Sequence, residues 1–515
     1  MRLSRWSRPG VALAVATLTI AAPGLPAAGA TNGPGPVLKL EAAQHSGITV
    51  NSFHGYVDMD PGIWVASLGS ALQFDVRRAS YTKPVTIAQI IHTPSGSAKT
   101  RPLPAALLDG WNGLRHFIRM TVRNSAGKVV ASPWLTFCPN TYDPERASPD
   151  SPATTPYPQV CGDDPFPLSM VWGIAKGWAT DPAEYYPFSP LGPGPYMRIP
   201  TGKYQVTETV GAAYVKLFHI AAGASAQTVN VTVVSASPDP ATPRSAGPDP
   251  ATPPRGSGPG PVAGRPARPG GRALGPLPRV PYLASPPRNA LPDLVPLPSW
   301  GITTSHLRSG QDLLDFGATV WAGGNGPLDV EGFRAAGSPI MKAYQYFWQN
   351  GKVIGRVRAG TMGFDNANGH HHWHFEQFAR YALLNSAKKL AVRSHKVGFC
   401  IAPSDPVNLL ARHAVWQPPV LGLVSQCGLA TALWVQEMMP VGWGDTYFQS
   451  IAGQSFNITK VANGTYYIEV AANPLRVLHE TTTRNDISLR KVILGGTPGH
   501  RTAAVPPWHG IDPEP

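Results

Sequence analysis

An all-β protein of two β-sandwich-like domains is the architecture the sequence predicts, and three observations predict it. Proline and glycine are frequent, 57 and 53 of 515 residues, while only 14% of residues are charged, a balance that favours turns and strands over long exposed helices. Segments rich in β-branched and aromatic residues recur on both sides of residues 235–288. That stretch is crowded with proline, glycine and alanine and repeats PDPATP at 238–243 and 248–253. It cannot bury enough apolar surface to order itself, so it reads as a disordered, extended linker between two domains.

In chain order, residues 1–30 read as a signal peptide. A basic MRLSRWSRPG precedes the apolar VALAVATLTIAA, and Ala28, Gly29 and Ala30 form a small-x-small cleavage site. The apolar run is shorter than the roughly 20 residues that span a bilayer, so the expectation is a secreted, extracellular protein without stable membrane insertion. The formal charge is +13. Loss of Arg2, Arg5 and Arg8 leaves +10, enough to hold the protein near an anionic extracellular polymer. Nucleic acid is not an expected partner, because no Lys/Arg run is interleaved with aromatics.

Residues 31–234 are expected to form an immunoglobulin-like β domain. SALQFDVRRASY, PVTIAQIIHT, RHFIRMTV, YQVTET and AQTVNVTVV supply its strands. Residues 289–496 form the second domain, with strands in LLDFGATVWAGGNGPLDV, KVIGRVRAG, KLAVRSHKVGFCIA, SFNITKV, GTYYIEVAA and DISLRKVIL, and residues 497–515 are a tail. Asn325-Gly326-Pro327 marks a turn. IPTGKYQVTE and VANGTYYIEV each read as a turn glycine feeding an aromatic-led strand, too short an echo to establish a repeat. The four cysteines allow three pairings. In an exported chain the near-neighbour pairs, Cys138 with Cys161 and Cys400 with Cys427, let each domain close its own loop.

The chemistry concentrates in GHHHWHFEQFARY, where His370, His371, His372 and His374 crowd together. On a strand His370, His372 and His374 share one face, and His371 and Trp373 take the other. The outer two then lie roughly 13 Å apart, so the strand must bend for three imidazoles to reach one metal. Imidazole suits copper, zinc, iron or nickel, and spacing alone does not choose among them. Glu376 serves equally as an acceptor orienting an imidazole or as a surface acid. In KLAVRSHKVGFC, Lys396 is an isolated lysine with His395 before it and Cys400 four positions on, along one strand face. In GWGDTYFQS, Asp445 and Tyr447 share a face if the chain is extended.

These motifs together resemble the lysyl oxidase family. Its copper-binding segment carries alternating histidines, an acidic residue, a phenylalanine and Tyr-x-Leu-Leu. This chain has His370, His372 and His374, then Phe378, Tyr381, Leu383 and Leu384, with one residue fewer after the last histidine. The family's His-Lys followed by Phe-Cys is matched by His395, Lys396, Phe399 and Cys400, and its Asp-Thr-Tyr by Asp445, Thr446 and Tyr447. Asp293 to Pro296 look like the family's opening, and GTYYIEVAANP with Thr483, Asn485 and Asp486 like its closing strands, so the resemblance covers about residues 291–496.

The resemblance implies copper held by His370, His372 and His374, and a lysine tyrosylquinone built from Lys396 and Tyr447. It implies oxidative deamination of primary amines, including peptidyl lysine, by molecular oxygen, with Asp445 as the base and His395 as its competitor. Only Cys400 and Cys427 stand where animal members are dense in disulfides. Two other classes fit the histidines alone: a secreted zinc hydrolase or hydratase, and a non-catalytic secreted binding or matrix protein. A topaquinone-type copper amine oxidase is disfavoured, since Asn140-Thr141-Tyr142-Asp143 does not reproduce its Asn-Tyr-Asp/Glu motif.

Overall fold

Along Gly202–Val210 every second side chain from Tyr204 on is buried, and Ala226–Ser235 alternates in the same way through Val229, Val231 and Val233. That is the period of a strand with one face on a core, and the two strands pair antiparallel. A computed structural model describes residues 36–44, 47–92, 97–141, 143–162, 164–183, 196–235, 280–335, 337–366, 371–418 and 423–514. The expected signal peptide and residues 236–279 of the expected linker lie outside these residues. Strands dominate, and Ala212–Phe218 is the one α-helix among the described residues, so the protein is all-β.

Among the described residues, three sheets lie before residue 236. Leu38–Ala42, Ile63–Ser67, Trp178–Thr180 and Glu145–Arg146 form one, and Ser169–Ile174, Leu72–Arg77, Thr86–His92 and Ala98–Leu103 another. The third and largest is built around Leu114–Asn124, Gly202–Val210 and Ala226–Ser235. Three more sheets follow residue 280. Asp312–Gly324 is central to the first, paired with both Pro292–Pro296 and Trp443–Tyr447. The second runs His372–Phe375, Lys352–Asp365, Ile340–Gln349, Leu328–Phe333 and Trp434–Met439, and the third is centred on Gly464–Ala472.

Asn325 to Pro327 connect Asp312–Gly324 to Leu328–Phe333, as the turn residues predict. KLAVRSHKVGFCIA departs from expectation: its strand is only Leu390–Arg393, and the chain then leaves the sheet as a loop. Lys396 and Cys400 are therefore not neighbours along one strand face. Both near-neighbour disulfides, Cys138–Cys161 and Cys400–Cys427, are present.

The short echo between the halves is structural. Gly202 and Gly464 have φ of +153° and +149°, a region open to glycine. Two residues on, the Tyr204 hydroxyl donates to the Pro200 carbonyl at 2.8 Å and that of Tyr466 to Ala462 at 2.9 Å. Each tyrosine ties its strand to the corner before it, a device familiar from immunoglobulin-like sandwiches.

The halves also touch. Ser169 and Asn408 form a parallel bridge, and Phe166 joins Leu297, Trp300, Trp321 and Val407 in one apolar cluster. From Val280 on, residues assigned to the linker by composition lie on the second half: Leu283 N–H donates to the Arg356 carbonyl, and Arg356 N–H to that of Pro281.

Candidate functional site

The histidine strand begins one residue late. His371 has φ +51° and is exposed, a left-handed conformation unfavourable for a residue with a Cβ. The regular strand is His372–Phe375. Alternation within it puts His372 and His374 on one face, both buried, with their Nε2 atoms 2.9 Å apart. Two ligands at right angles on one ion, with bonds of about 2.0–2.1 Å, are separated by about 2.9 Å, and tetragonal nitrogen sites of that kind suit copper(II). Asp365 Oδ2 lies 3.6 Å from His374 Nδ1, where a carboxylate orients a ligating imidazole. His370, the third expected ligand, lies outside the described residues. Among the described residues no three His, Cys, Asp or Glu side chains gather to hold a metal.

The strand is clamped on its other edge by the disulfide loop. Phe375 and Phe399 exchange backbone hydrogen bonds of 2.8 and 3.1 Å, and Trp373 N–H donates to the Cys427 carbonyl at 2.9 Å. Residues flanking both ends of the Cys400–Cys427 bridge thus fix the histidines. Trp373, on the opposite face, packs edge-on against Phe364 and under the Arg334 guanidinium.

The loop after Arg393 delivers the lysine. Ser394 Oγ accepts from Lys396 N–H at 3.1 Å and donates to the Gly453 carbonyl at 3.2 Å. Gly398 lies flat on the histidine strand: a Cβ there would come within 2.8 Å of His374 Cβ. Lys396 is buried while His395 is exposed. The Lys396 ammonium lies 4.2 Å from the centre of the Tyr447 ring and 5.0 Å from that of Phe399. Burial lowers the Lys396 pKa to about 8, although Asp445 and Asp365 pull it up.

Trp443–Tyr447 is buried along its whole length. Asp445 and Tyr447 share one face of this strand. The Tyr447 hydroxyl is 3.2 Å from the Cys400 carbonyl, and its ring meets Phe399 edge-on. Burial drives the Asp445 pKa well above the usual carboxylate range and Asp405 adds to the rise, while Lys396 opposes it. Asp445 Oδ2 is buried without a hydrogen-bond partner. Tyr447 is likewise raised by burial and by Asp445.

The structure thus gathers Lys396, Asp445 and Tyr447 and pairs His372 with His374, while His395 faces solvent. Glu376 is a surface acid, accepting from Thr361 Oγ1 at 2.7 Å, and Asp365 takes the place beside the imidazole. Sequence reading missed Asp365, Ser394, Gly398 and Glu437. Glu437 is fully buried and accepts from Ile401 N–H at 3.0 Å, and its charge also raises Tyr447. None of the four sits in a recognisable spacing, although Gly398 lies two residues from Lys396.

Residues 340–500 match the family model described as lysyl oxidase. Over 149 residues the chain is 27% identical to lysyl oxidase homolog 2 of Xenopus tropicalis, a stretch that covers 29% of this chain and 18% of that protein. The chain therefore spans less than a fifth of the curated relative's length. Residues 340–500 are a lysyl oxidase family segment. His372, His374, Lys396, Asp445 and Tyr447 all fall inside it, and the all-β region before residue 236 lies outside.

Proposed function

We propose that the second half is a copper-dependent amine oxidase, converting primary amines, peptidyl lysine among them, with molecular oxygen as the two-electron oxidant and water as the source of the carbonyl oxygen, to aldehydes, ammonia and hydrogen peroxide. The observation that carries this reading is the buried approach of Lys396 to Tyr447, 4.2 Å from amine to ring centre, inside the lysyl oxidase segment. His370, His372 and His374 would hold copper. Copper would supply oxidation of the Tyr447 ring, and the lysine tyrosylquinone of Lys396 and Tyr447 would supply the carbonyl that takes the amine and its electron pair.

The chain's own residues do the rest. Burial lowers the Lys396 pKa to about 8, so a useful fraction of its amine is neutral and nucleophilic near neutral pH. Phe399 packs edge-on against Tyr447, and this face excludes water. Asp445 Oδ2 is the base that takes the substrate α-proton: it is buried, unpartnered and two residues from Tyr447. Its raised pKa suits proton abstraction near neutrality better than an ordinary carboxylate. His395, the competing candidate for that base, is exposed to solvent, which favours Asp445. Copper loading, peroxide release across an amine panel and digestion for a Lys396–Tyr447 peptide test the reading. Stoichiometric zinc in copper-replete protein, with no peroxide, supports the hydrolase class instead. Secretion, and retention near an anionic polymer by the basic chain, belong to the same proposal.

A further inference from the structure

Two strands that follow one another in the chain lie along the same long strand, Asp312–Gly324. Tyr447 ends the first opposite Ala318, and Ser455 opens the second opposite Asp315. Seven residues, 448–454, therefore stand where the partner strand has two, Phe316 and Gly317. Such an insertion interrupts the ladder and re-aims the chain beside it. Its tip buries little, since Ser450, Ala452 and Gly453 are exposed, and ordering an exposed segment costs conformational entropy that burial does not offset. Hydrogen bonds hold it instead. Ile451 N–H donates to the Phe448 carbonyl at 3.0 Å, Gln454 N–H to that of Ile451 at 3.1 Å, and Phe316 N–H to that of Gln454 at 3.1 Å.

The insertion reaches both residues of the proposed cross-link. Gln454 is fully buried, and its side-chain amide donates to the Tyr447 carbonyl at 2.9 Å. The residue before it, Gly453, lies on the lysine. Gly453 has φ +85°, and a Cβ there would come within 3.2 Å of Lys396 Cβ and 3.6 Å of Lys396 Cγ. Its carbonyl accepts from Ser394 Oγ at 3.2 Å, and Ser394 Oγ accepts from Lys396 N–H at 3.1 Å. One path thus runs from the Tyr447 carbonyl through Gln454, Gly453 and Ser394 to Lys396. We propose that Gln454 is a positioning residue for this pair, closing a brace that keeps the Lys396 stem against the Tyr447 ring. The consequence for catalysis rests on the amine oxidase reading; the hold on Lys396 does not.

Lys396 needs such a hold. Its side chain is long and loses rotamer freedom when fixed, and burying an ammonium is unfavourable. The ammonium meets the rings of Tyr447 and Phe399, an attraction that is weak beside the hydration it gives up. Left to itself the side chain would turn to solvent. Gln454 is equally informative, because its Oε1 is buried without a partner, and an unmade buried hydrogen bond is costly. An apolar side chain would fill that space without the cost. What it would not supply is the N–H donor to Tyr447.

The test uses the full chain, first metal-free and then copper-loaded, with the variants Gln454→Met, Ser394→Ala, Ser394→Thr and Val231→Ala. Methionine fills the space of glutamine without its donor, and Val231→Ala removes buried volume from the first half, away from the brace. Each metal-free protein is pulsed with acetic anhydride, and acetylation of Lys396 is read by peptide mass spectrometry against the exposed Lys389. Lys396 should label about tenfold faster in Gln454→Met and Ser394→Ala than in the wild type. Ser394→Thr and Val231→Ala should label as the wild type does. After copper loading in air, the cross-linked Lys396–Tyr447 peptide should form about a hundredfold more slowly in the first two, at unchanged copper content, and at the wild-type rate in the other two. Wild-type labelling in Gln454→Met, or an equal rise in Val231→Ala, overturns the brace. If Gln454→Met does not fold, the serine pair decides, and faster labelling in Ser394→Ala without rescue in Ser394→Thr overturns it. Labelling as stated, with no cross-link in the copper-loaded wild type, leaves the brace standing and defeats the amine oxidase reading.

Discussion

Lys396 Nζ lies 4.2 Å from the centre of the Tyr447 ring, although 51 positions separate the residues and different elements deliver them. The lysine arrives on a loop tied by Ser394 and pressed against His374 by Gly398; the tyrosine arrives on a strand buried on both faces. This close, buried approach of an amine to a phenol, beside an unpartnered carboxylate oxygen, is the geometry on which the proposed cross-link rests.

The rate of cross-link formation should follow the neutral fraction of Lys396. A lysine pKa lowered to about 8 leaves roughly a tenth of the amine neutral at pH 7 and most of it at pH 9. On copper addition in air, the Lys396–Tyr447 peptide should therefore accumulate faster as pH rises, with a midpoint near 8, followed by peptide mass spectrometry. A rate flat across this range would place amine deprotonation outside the slow step.

Metal-free protein should lose stability as pH rises from acid towards 8. Burial raises Asp164 and Asp329 to about 7, Glu331 and Glu480 to about 8 and Asp405 to about 6. A carboxyl with a raised folded pKa contributes stability that is full below its unfolded pKa, near 4, and is lost as pH climbs through the folded value. Lys396 acts oppositely, since its lowered pKa favours the fold as pH rises from about 8 towards its unfolded value. The acids outnumber it, so urea midpoints should fall between pH 5 and 8; a rise over that range contradicts the burial of these groups.

Gly398→Ala should displace His374. The new Cβ would sit 2.8 Å from His374 Cβ, whereas Gly223 has no atom within 4 Å of the equivalent position. Overpacking costs about 1–3 kcal/mol, and copper content should fall in Gly398→Ala and stay unchanged in Gly223→Ala. Metal analysis together with thermal denaturation distinguishes lost copper from lost fold.

The two disulfides close loops of similar length, with sequence separations of 27 and 23, so removing either should cost a similar amount, about 2–4 kcal/mol. Only Cys400–Cys427 flanks the histidine strand. Cys400→Ser/Cys427→Ser should weaken copper binding, measured by chelator competition, while Cys138→Ser/Cys161→Ser should leave it near wild type. Equal loss in both pairs would mean that the loop does not clamp the histidines.

Much of this was legible in residue patterns. Alternation exposed strands with one buried face, such as Gly202–Val210 and Gly464–Ala472, and the paired glycine and tyrosine foreshadowed matching corners. Trp434–Met439 was not legible, because nearly all of it is buried and no alternation remains to read. The loop at Lys396 read as strand because it carries apolar residues at strand-like spacing, yet Phe399 turns inward, onto Phe375 and Tyr447, while Val397 is exposed. Asp365, Glu437, and the Asp164–Thr319 pair that meets Thr446 become neighbours of the site only through tertiary contact, and no spacing in the chain announces that.

The most direct measurement is peptide mapping of copper-loaded, aerated, full-length protein. One cross-linked peptide containing Lys396 and Tyr447, labelled by phenylhydrazine, should appear, with peroxide released from primary amines. Lys396→Arg should abolish all three while retaining copper, because guanidinium stays protonated and is a poor nucleophile; Tyr447→Phe should do the same by removing the oxidisable hydroxyl. Separate, unmodified Lys396 and Tyr447 peptides from fully copper-loaded protein, with no peroxide across a varied amine panel, would contradict it.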